Sequence, residues 1–299
     1  MSVRAATIAG FGAIGLWSLL ALLTTATGAV PPFQLAAMTF AVGGLLGATS
    51  FLVRPDSLHV LRQPPTVWVL GVGGLFGYHA LYFAALRLAP PADAGLIAYL
   101  WPLLIVLFSA LLPGERLRGA HVVGAVLGFA GVVALISGRA GLELKAQYAL
   151  GYALAFACAF VWSGYSVLSR RFGTVPTDAV AGFCLATAAL SGLCHALFET
   201  TVWPSTRMQW LAVAALGLGP VGAAFYLWDV GVKRGDIRLL GIAAYAAPVL
   251  STFVLVFAGY AEPTLSLSLA CMLIAAGALV AALAGRVKAR PGGCSGRRR

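Results

Sequence analysis

An all-α integral membrane protein, with ten transmembrane helices in two inverted five-helix repeats, is the fold that three observations predict. Of 299 residues, 61% are hydrophobic and only 10% charged, with a mean hydropathy of +0.93; a soluble domain carries roughly 25% charge. Apolar runs of about 20 residues, the length that crosses hydrocarbon, recur along nearly the whole chain. Features of the first half also return in the second at a near-constant spacing.

The runs fall at 4–25, 33–53, 66–88, 91–112, 118–137, 147–172, 176–198, 208–233, 236–259 and 263–285. Their connections are a few residues long, too short for a soluble catalytic domain. Arg4 before the first run and small residues after it resemble a signal peptide. The run is long, however, and has a counterpart at 147–172, so it reads as a retained helix with Trp17 mid-span. The third run contains GYHALYFAALR, in which Tyr78, His79 and Tyr82 share one turn and one face. A histidine inside the bilayer is expensive and ordinarily faces the bundle interior. It contacts substrate there or bonds a neighbouring helix. The fourth run holds Tyr99, Trp101 and Pro102. Tyr99 and Trp101 stand about 200° apart on a regular helix, so both reach one cavity only if the chain turns at the proline.

The sixth run carries Trp162, Tyr165, Ser166 and Ser169 on one helical stripe. The eighth offers Trp228 and Asp229, the one carboxylate clearly inside a span. Lys233 follows Asp229 by four residues, as a snorkelling ion pair or a coupling site. The ninth offers Tyr245 and Pro248. Asp93, Glu115, Glu199 and Glu262 all fall at span ends. Cys158, Cys184, Cys194, Cys271 and Cys294 have no CxxC or Cys/His spacing, so no metal or cofactor is expected. Residues 287–299 are basic and rich in Gly and Pro, which predicts a disordered cytoplasmic tail.

Trp17-Ser18 recurs as Trp162-Ser163, Gly28 as Gly173, and Val30-Pro31 as Val175-Pro176, all at an offset of 145. Tyr82, Arg87, Gly95 and Pro102 match Trp228, Lys233, Gly241 and Pro248 at 146, and Glu115 matches Glu262 at 147. The repeats are therefore predicted at 1–143 and 144–286. An odd number of spans per repeat inverts the second half in the membrane. Such inversion marks secondary transporters, whose substrate site lies near the midplane between the repeats. A proline inside a helix costs about 3 kcal/mol because it removes one backbone bond and clashes with the preceding turn. Pro102 and Pro248 are expected to leave the carbonyls of Ala98 and Ala244 unpaired. In lipid that is tolerated beside protein or a wet cavity; a packed kink is the other reading.

The net charge of +11 does not point to nucleic acid, because of where it lies. With the N-terminus inside, the cytoplasmic face collects Arg4, Arg54, Arg62, Arg116, Arg118, Arg170, Arg171, Lys233, Arg234, Arg238 and six tail residues. The other face holds Arg87, Arg139, Lys145 and Arg207. Positive residues set orientation by remaining in the cytoplasm, so both termini are predicted inside. Cysteine labelling should find Ser57 inside and Gly141 outside; labelling of both from one side would contradict five spans per repeat.

The number of spans, the inverted repeat, the 299 residues and the span-4 proline with Glu115 near its end resemble the drug/metabolite transporter superfamily, EamA type. The resemblance covers the chain up to the tail. WSLLALLTTATGAVPPFQLAAMTF and GYHALYFAALRLAPPADAGLIAYLWPLLIVLFSALLPGE resemble the aromatic amino-acid exporters of that superfamily. This implies a multi-pass protein of a bacterial inner membrane that exports aromatic and other neutral amino acids by alternating access. Export of another small metabolite or drug is the alternative. The substrate contacts expected are Trp17, Tyr78, His79, Tyr82, Tyr99, Trp101, Trp162 and Tyr245, which suit a flat side chain plus an ammonium and a carboxylate. An intramembrane enzyme would need Ser163 or Ser166 with His79, and WSGYS is not a GxSxG elbow. The expected partners are amino acids and the lipid bilayer, not nucleic acid.

Overall fold

The computed structural model describes residues 1–53, 55–114, 117–140 and 144–286. Arg54, Glu115, Arg116, Gly141, Cys294 and the basic tail lie outside the described residues. The described residues form helices joined by turns, with no β-strand among them. Among the described residues nine helices are long and apolar enough to cross a membrane: α1 Val3–Ala26, α2 Pro32–Phe51, α3 Pro65–Leu88, α4 Pro91–Leu111, α5 Gly119–Gly138, α6 Ala146–Ser169, α7 Ala179–Phe198, α8 Arg207–Arg234 and α9 Ile237–Phe257. A tenth apolar helix, α10, is shorter within the described side chains, at Leu265–Ala281.

Helices of the first half pack mainly on helices of the second: α5 on α10, α2 on α7, α1 on α8, α3 on α6, and α4 on α6 with a smaller contact to α9. Without water between them, membrane helices associate through close packing, which small residues permit. A Cβ on Gly124 of α5 would stand 2.6 Å from the carbonyl oxygen of Gly277 on α10. That oxygen is backbone and cannot move aside. Gly124→Val should therefore destabilise the protein by about 1–3 kcal/mol through overpacking, read as a lower midpoint in thermal unfolding of the detergent-solubilised chain.

Several of these helices are interrupted, and the interruptions shape the centre of the molecule. α1 is broken between Val3–Trp17 and Leu20–Ala26. There the Ser18 hydroxyl donates to the Gly15 carbonyl at 2.6 Å, a back-bond that bends helices. α3 contains a π-helical turn at Gly73–Gly77, and α8 one at Gly219–Ala223. Single π-turns occur frequently at functional sites, and Pro220 in the second lacks the N–H that a regular ladder requires.

α4 consists of Pro91–Ala98 and Trp101–Phe108, and α9 of Ile237–Ala243 and Ala246–Phe257. Pro102 and Pro248 thus sit in the first turn of a new helical piece, where the missing N–H has no intrahelical partner to lose. The penalty expected for a proline in a helix interior does not arise. The Ala244 carbonyl, expected to be unpaired, accepts a bond from Ala247 N–H at 3.1 Å. The chain tightens there to an i→i+3 turn, which supplies a donor that a regular helix would not.

Candidate functional site

The interrupted helices surround one cavity of about 630 Å³, within the range of small-molecule sites. It is lined by α1 between Trp17 and Thr25, α2 between Pro32 and Phe40, α3 between Tyr78 and Leu86, and α4 between Gly95 and Trp101. Consecutive helices run antiparallel, so these four stretches lie toward one membrane face, that of the α1–α2 and α3–α4 connections. Trp162 of α6, Pro220 and Phe225 of α8, and Ala247 and Ser251 of α9 complete the wall.

Three tryptophans, Trp17, Trp101 and Trp162, close the deep end, and Trp228 packs behind them. Trp17 lies with its ring centre 6.2 Å from Trp101, 5.8 Å from Trp162 and 5.0 Å from Trp228. Trp162 and Trp228 are stacked at 6.3 Å with planes 20° apart. Hydrogen bonds fix this floor. The Trp17 indole donates to the Pro220 carbonyl in the π-turn at 3.1 Å, and Trp228 donates to Ser166 Oγ at 3.0 Å. Ser163 donates to the Trp101 carbonyl at 2.9 Å. Tryptophan supplies a large apolar face while its N–H still needs a partner; the opened helix backbone provides one.

His79 gives the cavity its polar character. Its Nδ1 is 2.7 Å from the Leu75 carbonyl. A carbonyl only accepts, so Nδ1 carries the hydrogen, and a neutral ring presents Nε2 as an acceptor. Tyr78 and Tyr82 are stacked beside it at 6.0 Å, and Phe40 packs edge-on against it at 5.0 Å.

Seven of the eight sequence-predicted contacts line the cavity: Trp17, Tyr78, His79, Tyr82, Tyr99, Trp101 and Trp162. Tyr99 and Trp101 reach it together because α4 breaks between them. Tyr245 does not. It is fully buried, packs on Phe129, and its hydroxyl accepts the Leu103 N–H at 3.0 Å. It caps the second piece of α4, satisfying an N–H that the break had left without a helical partner. Asp229 and Lys233 lie beyond the floor as an ion pair at 2.8 Å. Thr177 donates to the other Asp229 oxygen at 2.7 Å, and Lys233 donates to the Val175 carbonyl at 3.0 Å.

The structure adds residues that no sequence feature singles out. Phe40 and Phe225 are stacked at 5.5 Å, with planes 12° apart, in the wall. Nothing distinguishes them from the 14 other phenylalanines, which equally satisfy lipid or core. Thr24, Thr39 and Ser251 also face the cavity. At the open end, Glu199 accepts the N–H groups of Phe33 and Gln34, both at 3.1 Å, and pairs with Arg87 and His195 at 3.1 Å each. It satisfies the first turn of α2 and complements its dipole.

Comparisons with known proteins agree on what this architecture belongs to. The model of the EamA-like transporter family matches residues 4–137 and again 149–283. The chain is 64% identical over 287 residues to the aromatic amino acid exporter YddG of Ancylobacter novellus, covering 96% of this chain and all of that protein. It is 27% identical over 306 residues to the exporter of the same name from Escherichia coli, covering 96% and 99%. A solved crystal structure at 63% identity superposes with a TM-score of 0.92, covering 96% of this chain and 100% of that one.

Proposed function

The chain belongs to the EamA-like transporter family, and from that premise we propose that it exports aromatic and other neutral amino acids from a bacterial cytoplasm by alternating access. The observation that carries the reading is the cavity. It combines aromatic walls for a flat side chain with neutral acceptors for an ammonium, the ring nitrogen His79 Nε2 foremost among them. The 64% identity to an exporter named for aromatic amino acids supports it.

The chain crosses the membrane ten times, α10 continuing to Arg286, with both termini inside. Its halves, 1–143 and 144–286, are inverted repeats. The two π-turns support this, since Gly73–Gly77 and Gly219–Ala223 stand 146 apart, and so do two separate family matches. With that orientation the cavity faces outward, and the tryptophan floor separates it from the cytoplasm. Trp17, Tyr78, His79, Tyr82, Tyr99, Trp101 and Trp162 bind the substrate.

Asp229 is neutralised by Lys233 and bonded to Thr177, so this carboxylate is held as an ion pair rather than as a proton carrier. Counterflow of labelled phenylalanine in proteoliposomes should therefore continue when the proton gradient is collapsed. Loss of exchange on collapse would show obligatory coupling, and absence of any amino-acid counterflow would reject the substrate class.

A further inference from the structure

The half of the protein beyond the tryptophan floor is closed, yet it is more polar than packing alone requires. Asp229 and Lys233 are 2% and 5% exposed there; Ser169 and Thr177 lie around them. A buried ion pair is weak support for stability, since apolar residues of similar shape often serve as well or better. Ionisable groups inside a membrane more often mark a substrate path.

The repeat offsets identify these residues. Adding 145 to Thr24, which lines the open cavity, gives Ser169; adding 146 to Tyr82, Arg87 and Tyr99 gives Trp228, Lys233 and Tyr245. The cavity wall residue Phe83 corresponds in the same way to Asp229. Several mates of the open cavity's lining therefore lie in the closed core, Trp228, Tyr245, Ser169 and Asp229 all being at most 3% exposed, while the mates of Trp17, His79 and Trp101, which are Trp162, Phe225 and Ala247, belong to the shared centre and line the open cavity too. A crevice of about 10 Å³ persists between Gly71, Tyr165, Ser169, Asp229 and Lys233. It is a remnant opening at the place the offsets mark, about large enough for one water.

We propose that this closed half is a second substrate site, the cytoplasmic entry vestibule, and that Asp229 and Lys233 hold the ammonium and carboxylate of an entering zwitterionic amino acid. The assignment rests on the inverted-repeat export reading above. When the halves rock, the vestibule takes the shape of the present cavity and the tryptophan floor closes from the other side. The ion pair then parts toward the zwitterion, each charge exchanging one partner for another, so neither is left bare in hydrocarbon. The open cavity is lined only by neutral groups, His79 and the Tyr, Thr and Ser hydroxyls, so the two sites differ in charge. An exporter so built captures substrate through charge and releases it where charge is absent.

The test uses proteoliposomes with the protein in one orientation and labelled phenylalanine supplied from either side. The double variant Asp229→Asn, Lys233→Gln should raise the half-saturation concentration from the tail side about tenfold, as expected for charge-assisted hydrogen bonds, and change it less than twofold from the other side. A merely structural pair would shift both sides alike or neither, and either result overturns the proposal. In a second arm, Ser169→Cys, compared with the parent and its native cysteines, should react with a membrane-impermeant methanethiosulfonate reagent from the tail side alone. No reaction, in a variant that elutes as folded protein, also overturns it. Should the parent carry no amino acid at all, the export reading fails, and the Ser169→Cys arm still decides whether the closed half opens.

Discussion

His79→Ala should slow transport of every amino acid, by about 10- to 100-fold, whatever its side chain. Nδ1 is committed to the Leu75 carbonyl at 2.7 Å, which leaves Nε2 as the acceptor for the group that the proposed amino-acid substrates share, the ammonium. A hydrogen bond to a charged group contributes about 1.5–3 kcal/mol, which at 1.4 kcal/mol per tenfold gives that range. Tyr82→Ala should act in the same direction, because Tyr82 holds the neighbouring wall by stacking on Tyr78 at 6.0 Å. Tyr82→Phe keeps the stack and removes only the hydroxyl, so it separates packing from hydrogen bonding. The measurement is flux of labelled phenylalanine, methionine and threonine through purified variants that elute as folded protein. Wild-type rates in both alanine variants would place the common contact elsewhere. A loss confined to phenylalanine would show that His79 serves the side chain instead.

Trp101→Ala and Trp162→Ala should change the ranking of substrates rather than the rate for all of them. Both rings line the cavity and form its floor, 6.3 Å apart and at 87° to each other. A lost aromatic contact is worth about 0.5–1.5 kcal/mol beyond the area it buries, so phenylalanine should lose several-fold relative to threonine. The same assay reads the ratio directly. An unchanged ratio in both variants, with folding intact, would mean that the side chain sits higher, against Phe40 and Phe225. Trp228→Ala provides a contrast. Its ring does not line the cavity and is fully buried, bonded to Ser166, so its loss should lower folded yield more than it alters the ratio.

Much of the site was legible because the spans read so clearly. Within an apolar helix, a histidine between two tyrosines stands out, and one helical turn puts them on a common face; Tyr78, His79 and Tyr82 were found in this way. The pairing of Asp229 with Lys233 followed from i,i+4 spacing, and the structure shows it at 2.8 Å. Phe40 and Phe225 were not legible. Phenylalanine is as content facing lipid as facing a ligand, and only the packing of α2 against α8 stacks these two rings in the cavity wall.

What the sequence determined by itself is whatever hydrophobic transfer and chain geometry settle locally: the apolar spans, the faces of single helices, and the positions where glycine and proline prevent a regular ladder. It placed Pro102 and Pro248 as equals, and Tyr99 and Tyr245 with them, because the offset of 146 treats them alike. Only the tertiary structure distinguished them. Tyr99 lines the cavity, while Tyr245 is sealed in the core, capping the Leu103 N–H. The physical reason is packing: the helices part around Tyr99, while around Tyr245 they close on Phe129 and the Leu103 N–H. Which tyrosine meets the cavity is a property of how the helices pack against one another, and no residue-by-residue preference contains it.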